Sequence, residues 1–201
     1  MTIPKTCALT VLFLAAAPVA GFAQDGPSFD CSKAESSAEK LVCDDPDLAA
    51  LDRRLTDRFA AAVEVAEGLD VDAEETTKTL RAMQRGWISG RDDCWKEPDL
   101  RACVETAYLR REAELVAEFM LEQPSEVVEL ICGPRALTVE TFPTALAGVR
   151  VEEGDSVYIG AQFGADTPGT YYLRQAGGLV MGDGAPRVSD VYGEETECEV
   201  R

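Results

Sequence analysis

Apolar and polar positions change rhythm once along this chain, near residue 125. Upstream, apolar residues return at steps of three and four. Leu48, Leu51, Leu55, Phe59, Ala62, Val63 and Ala66 form one stripe, the spacing of a helix buried along one face. Asp45-Pro46-Asp47 stands before it as an acidic cap, a first-turn proline and an acid near the positive end of the helix dipole, and Gly68 stops it. A second helix is predicted from Asp72 to Glu75 onward, with Leu80, Met83, Trp87 and Ile88 on one face. The connection is short, so the two form an antiparallel hairpin. Pro98-Asp99 opens a third long helix through Met120, with Leu100, Val104, Tyr108, Leu115 and Phe119 inward. Ser36-Ser37-Ala38-Glu39 is a capping box for one short helix ending at Cys43.

Downstream the period falls to two. Leu137, Val139 and Thr141 share a face, as do Val149 and Val151, Val157 and Ile159, and Tyr171 and Leu173; Val188 to Asp190 is less regular. Gly-Asp, Pro-Gly, Gly-Gly and Gly-Asp-Gly turns separate these runs, so a small antiparallel barrel or sandwich is expected. The polar stretch around Glu122–Glu126 reads as the linker. The organisation expected is a leader over 1–23, a helical domain over 24–121, a linker over 122–128 and a β domain over 129–201.

The leader reading rests on Lys5, the apolar run that follows Thr6, and Gly21-Phe22-Ala23, small residues flanking a cut. The run is too short and wrongly flanked for a membrane span. Cys7 precedes it, where a lipoprotein cysteine would follow it, so no membrane anchor is expected. The address becomes periplasmic or secreted.

That address gives the cysteines a meaning. With Cys7 in the leader, six of the seven remain: Cys31, Cys43, Cys94, Cys103, Cys132 and Cys198. An even number in an oxidising compartment reads as disulfides. Cys132 and Cys198 bracket the β region, so their pairing ties its ends. The other four gather at one end of the helical hairpin. Three pairings are open to them, of which Cys31–Cys43 and Cys94–Cys103 are favoured: an extended 31–35 segment can run back along the short helix, and the Trp95–Leu100 turn can close the second pair.

Net charge is −18, and loss of Lys5 with the leader would make it −19. Such a chain repels nucleic acid and anionic membranes and meets basic partners readily; plain solubility is the blander reading. There is no histidine, which removes the commonest general base and metal ligand, and no CxxC pair to replace it. Asp70-Val71-Asp72-Ala73-Glu74 lacks the glycine of a calcium loop, and Arg81 stands where its glutamate belongs. Gly177 to Gly184 lacks the Lys-Ser/Thr of a phosphate loop. Neither metal nor cofactor is expected, and nothing signals catalysis. Gln84-Arg85-Gly86-Trp87-Ile88-Ser89-Gly90-Arg91-Asp92-Asp93-Cys94 is the densest polar motif. It reads as a seam, with Trp87 inward and Gln84 and Arg91 bonded to neighbouring helices or carboxylates such as Asp52.

Two resemblances sharpen this. Phe29-Asp30-Cys31, Ala34, Glu39, Cys43, the run Asp45 to Asp52, the Q-R-x-W-x-x-x-R-D-x-C run from Gln84 to Cys94, and Cys103 together resemble the N-terminal domain of the lysozyme inhibitor LprI family, over about residues 28–120. That resemblance implies a secreted or envelope helical domain associated with lysozyme inhibition. Cys132, Thr138 to Thr141, Pro168 to Tyr172, Gly182 to Ala185 and Cys198 resemble the MliC family of C-type lysozyme inhibitors, over about 129–199. It implies a small eight-stranded barrel with a terminal disulfide, and hence an α+β fold, a disulfide-stapled helical bundle followed by an antiparallel barrel. It also implies a loop carrying Ser-Gly-x-x-Tyr and a Lys-Gly turn that enter the lysozyme cleft. Gly169 and Tyr172 match; Pro168 holds the serine position and Met181 the lysine position. The expected function is a lysozyme inhibitor-like binding protein and not an enzyme. Pro168, Gly169, Tyr172, Met181, Gly182 and Asp183 would meet a C-type or other basic lysozyme. A non-inhibitory envelope interaction module is the alternative.

Overall fold

The structure, a computed structural model, describes residues 26–182 and 184–201. The predicted leader, with Cys7, lies outside the described residues.

The helices start where the caps say they should. In α1 (Ser37–Asp44) the Ser36 hydroxyl accepts from Glu39 N–H, while the Glu39 carboxylate accepts from Ser36 and Glu35 N–H. In α2 (Pro46–Glu67) the Asp45 carboxylate takes the Asp47 and Leu48 N–H groups, and Gly68 caps the end. α3 spans Ala73–Asp92 and continues into a 3₁₀ turn, Asp93–Lys96. α4 spans Leu100–Phe119 from an Asp99 cap that accepts Ala102 N–H. Their core holds Val42, Leu48, Leu55, Leu80, Val104, Tyr108 and Leu115. Disulfides join Cys31–Cys43 and Cys94–Cys103, the favoured pairing, with Cα separations of 5.9 and 5.7 Å. Ile88 departs from its predicted face and is 39% exposed. It lies about 100° round the helix from Trp87, beyond the strip that α3 buries.

The second half is an antiparallel nine-stranded sheet: β1 (Glu126–Cys132), β2 (Arg135–Phe142), β3 (Gly148–Glu153), β4 (Ser156–Gln162), β5 (Thr170–Leu173), β6 (Gly177–Val180), β7 (Arg187–Ser189), β8 (Glu195–Glu197) and β9 (Glu199–Val200). β1 begins inside the stretch read as a linker. Each strand pairs with the next up to β8, and β9 returns to pair with β1 at Leu130↔Val200. β8 and β9 are one stretch of chain interrupted at Cys198, so that stretch touches both edges and the sheet is a nearly closed barrel. The Cys132–Cys198 disulfide sits at the closure. Leu130, Leu137, Val139, Val149, Val151, Tyr171, Leu173, Leu179 and Val188 fill the interior. Val157 stays 47% exposed.

One helix belongs to both halves. α4 turns Val104, Tyr108 and Leu115 to the helical core, and its Val116 and Ala117 to Phe142 and Ile159 on the outer face of β2 and β4. At Gly148 a Cβ would stand 2.5 Å from the Ala113 carbonyl oxygen, so only glycine lets α4 settle against β3. The barrel's outer wall is therefore a buried surface where α4 lies, and the two halves share a third, smaller core.

Candidate functional site at the seam of helices and barrel

The motif from Gln84 to Cys94 runs along α3 into the 3₁₀ turn; Gln84, Trp87 and Arg91 face inward, while Arg85, Ser89 and Asp93 are exposed. Arg91 is 4% exposed. Its Nη1 donates to the Tyr108 hydroxyl at 2.8 Å, and its Nη2 and Nε donate to Asp92 at 2.7 and 3.1 Å. Tyr108 donates in turn to Asp52 at 2.9 Å, and the other Asp52 oxygen accepts both the N–H and the hydroxyl of Ser28 at 2.6 Å. Trp87 meets Tyr108 edge-on at 5.2 Å and gives its N–H to the Ala107 carbonyl at 3.2 Å. Gln84 accepts from Arg111 Nε at 3.0 Å. The expected link from Arg91 to Asp52 exists, relayed through Tyr108.

Burial pushes the Tyr108 hydroxyl above its ordinary pKa; Arg91 opposes the rise and Asp52 adds to it. Tyr108 therefore stays a neutral donor. Both Asp52 oxygens and the Tyr108 hydroxyl are engaged within the network. It fastens the segment around Ser28, α2, α3 and α4 to one another. Ser28 escaped the sequence reading because a lone serine 24 residues from its partner carries no local pattern.

The residues expected to touch a partner come together only in part. Gly169 has φ of +73°, its carbonyl accepts the Met181 N–H at 2.7 Å, and a Cβ there would lie 2.5 Å from the Met181 oxygen. Pro168, Gly169, Met181 and Gly182 thus share the open end of the β5–β6 pair. Tyr172 sits further along β5, opposite Gly178 and Ala161, on the face away from the interior and 55% exposed. Met181 leans on the barrel core, partly buried. Asp183 lies outside the described residues.

The loop between β4 and β5 links this end to the helices. Phe163, at its start, is 59% exposed; its carbonyl accepts Arg110 Nη2 at 2.9 Å and its ring lies 5.9 Å from that guanidinium. Beside Phe163 an open groove of about 780 Å³ runs past Gly90, Pro98, Cys103 and Ala107. Arg174 holds the same seam through Glu118 at 3.3 Å and Glu114 at 3.7 Å. Sequence reasoning missed the groove. The exposed Phe163, set between Gln162 and Gly164, was its one local sign.

Among the described residues no cluster of three or more His, Cys, Asp or Glu side chains could hold a metal ion, and no helix is long and apolar enough to cross a membrane.

Residues 31–115 match the protein family described as Lysozyme inhibitor LprI. The chain is 34% identical over 90 residues to proteins named Lipoprotein LprI from Mycobacterium bovis and Mycobacterium tuberculosis. The alignment takes in 45% of this chain and 41% of the M. bovis relative, so the chain spans about two-fifths of the length of the curated relatives it matches. No solved structure matches the chain.

Proposed function

We propose that this chain is an exported lysozyme inhibitor-like binding protein. The observation that carries the reading is the match of residues 31–115, the stapled helical region, to a lysozyme-inhibitor family. Three disulfides and the leader pattern support a periplasmic or secreted address. A net charge of −18 would draw the protein to a basic lysozyme. The MliC-like reading of the barrel supplies the contact: the edge formed by Pro168, Gly169, Met181 and Gly182, with Asp183 and Tyr172 beside it, would cover the substrate cleft by shape. The polar contacts that serine and lysine make in that family are replaced here by Pro168 and Met181.

Purified mature protein titrated into C-type and other lysozymes tests the reading through lysis of cell walls. Lysis should fall as protein is added at low salt. Undiminished lysis at micromolar protein rejects inhibition.

A second reading is a non-inhibitory envelope interaction module, favoured by Met181 packing on the barrel core instead of standing free. A periplasmic pull-down that returns a partner other than a lysozyme would support it; recovery of lysozyme alone would count against it.

A further inference from the structure

The loop between β7 and β8 holds two apolar side chains out in water. Tyr192 is 91% exposed, the highest figure among the exposed large apolar residues described, and Val191 beside it is 62% exposed. Nothing local asks for either. Tight turns are built from Gly, Pro, Asn, Asp and Ser, and here Asp190 and Gly193 supply that geometry. One Asp190 side-chain oxygen accepts the N–H groups of Tyr192 and Glu194 at 2.8 and 3.0 Å. Gly193 takes φ of +86°, and its N–H meets the Asp190 carbonyl at 3.1 Å.

The loop is also fixed at its root. Ser189 pairs with Gly178 on one side and Glu195 on the other, and a Cβ at Gly177 would stand 2.0 Å from the Ser189 carbonyl oxygen. Val191 and Tyr192 therefore ride on a well-held, convex tip. Its surroundings are acidic: Glu194, Glu195 and Glu197 are exposed beside it, and of these only Glu195 has an ion-pair partner among the described residues, Arg187 at 3.5 Å.

We propose that the Val191–Tyr192 tip is a protein-docking element that enters an apolar depression with a basic rim on its partner. A convex tip fits a concave site. Tyrosine offers a large contact area with few torsions to immobilise, and a loop already held by its own hydrogen bonds has less freedom to lose on binding. The unpaired carboxylates around the ring favour a basic surface and disfavour an acidic one. The partner is taken from the lysozyme reading, on which this proposal rests. The tip is distinct from the edge at Pro168 and Met181: Val180 and Arg187 end the β6–β7 pair on the side of that edge, and Gly178 and Ser189 end it on the side of the tip.

The experiment titrates C-type and other lysozymes with purified mature protein at low salt, reading affinity and lysis for the parent and three variants. Tyr192→Ala should bind at least about tenfold more weakly, the loss expected of an aromatic anchor, and inhibit correspondingly less. Its melting temperature should stay at the parent's, because the side chain lies almost wholly outside the fold. Tyr192→Phe should stay within about twofold of the parent, since the ring supplies the contact area. Val71→Ala, at another apolar residue left 71% exposed between α2 and α3, should also stay within about twofold. Parent affinity retained by Tyr192→Ala, or Tyr192→Phe as weak as Tyr192→Ala, would overturn the docking tip and leave the lysozyme reading standing. A parent that binds no lysozyme would overturn that reading and this proposal with it.

Discussion

Asp52 is the residue on which the helical core's polar interior turns. It is 6% exposed and takes Ser28 on one oxygen and Tyr108 on the other. Asp52→Asn must aim an amide N–H₂ at one of those donors, leaving a buried donor unanswered, so it should lower unfolding free energy by about 1–3 kcal/mol. Tyr108→Phe removes the bridge but leaves Asp52 with Ser28 and Arg91 with Asp92. It also orphans Asp52 Oδ1 and Arg91 Nη1, both buried and charged, so it should cost at least as much, about 1–3 kcal/mol. Urea denaturation of both variants checks that order. Glu39 gives a pH-dependent counterpart. Its carboxyl is held below the ordinary glutamate range, first by the Ser36 N–H, then by the Glu35 N–H. A lowered folded pKa means the stabilisation is complete above the unfolded value, about 4.3, and is lost as pH falls through the folded value. Glu39→Gln should therefore be less stable than the parent at neutral pH, with the difference closing under acid. A constant difference from pH 7 to pH 3 would show that the cap does not titrate as described.

Among the elements α4 has the unusual position, because it packs into the helical core on one face and against the barrel's outer wall on another. Gly148→Leu would drive a side chain into the Ala113 backbone, where even a Cβ is 2.5 Å from oxygen. The expected loss is about 1–3 kcal/mol, as for overpacking elsewhere, and helical and barrel signals should weaken together because the contact joins them. The disulfides should rank by loop length. Replacing Cys132 and Cys198, 66 residues apart, should cost about 4 kcal/mol; replacing Cys94 and Cys103, 9 apart, should cost nearer 3. Here too lies the boundary of what the sequence discloses. Caps, stripes, turns and short-range disulfides were legible because each is local: Ser36 with Glu39, Asp45 with Pro46, Cys31 with Cys43. The second face of α4 was not, since Ala113, Val116 and Ala117 are small residues whose burial depends on Phe142 and Ile159 arriving from another element. Glu112 is hidden from the sequence for the same reason. A mid-helix glutamate reads as solvated, yet it is 5% exposed, with Arg54 on both oxygens and Arg58 nearby.

For the whole molecule the candidate site follows that division. Pro168-Gly169 was readable as a turn, whereas the groove beside Phe163 gains that wall only once the β4–β5 loop has docked on the helices. The surplus of acid was readable from the start, and under the proposed function it acts on folding and on recognition with opposite signs. The net −18 leaves carboxylates that no pairing within the chain can neutralise. Their mutual repulsion weakens the compact state at low ionic strength. Exposed ion pairs such as Lys78–Glu75 work the other way, but each contributes only about 0–1 kcal/mol and is itself screened. The unpaired surplus should win. Salt raised from about 10 mM to about 300 mM shortens the screening length from roughly 30 Å to well under 10 Å. It should therefore raise the melting temperature by a few degrees, the shift about 1 kcal/mol produces in a protein of this size. Over the same range the association rate with a basic lysozyme should fall at least about tenfold, because electrostatic steering is lost. Measuring both on one preparation is decisive: slower binding cannot then be blamed on a less stable binder. An association rate that ignores salt while melting responds to it would remove charge from recognition and leave it only a solubilising role.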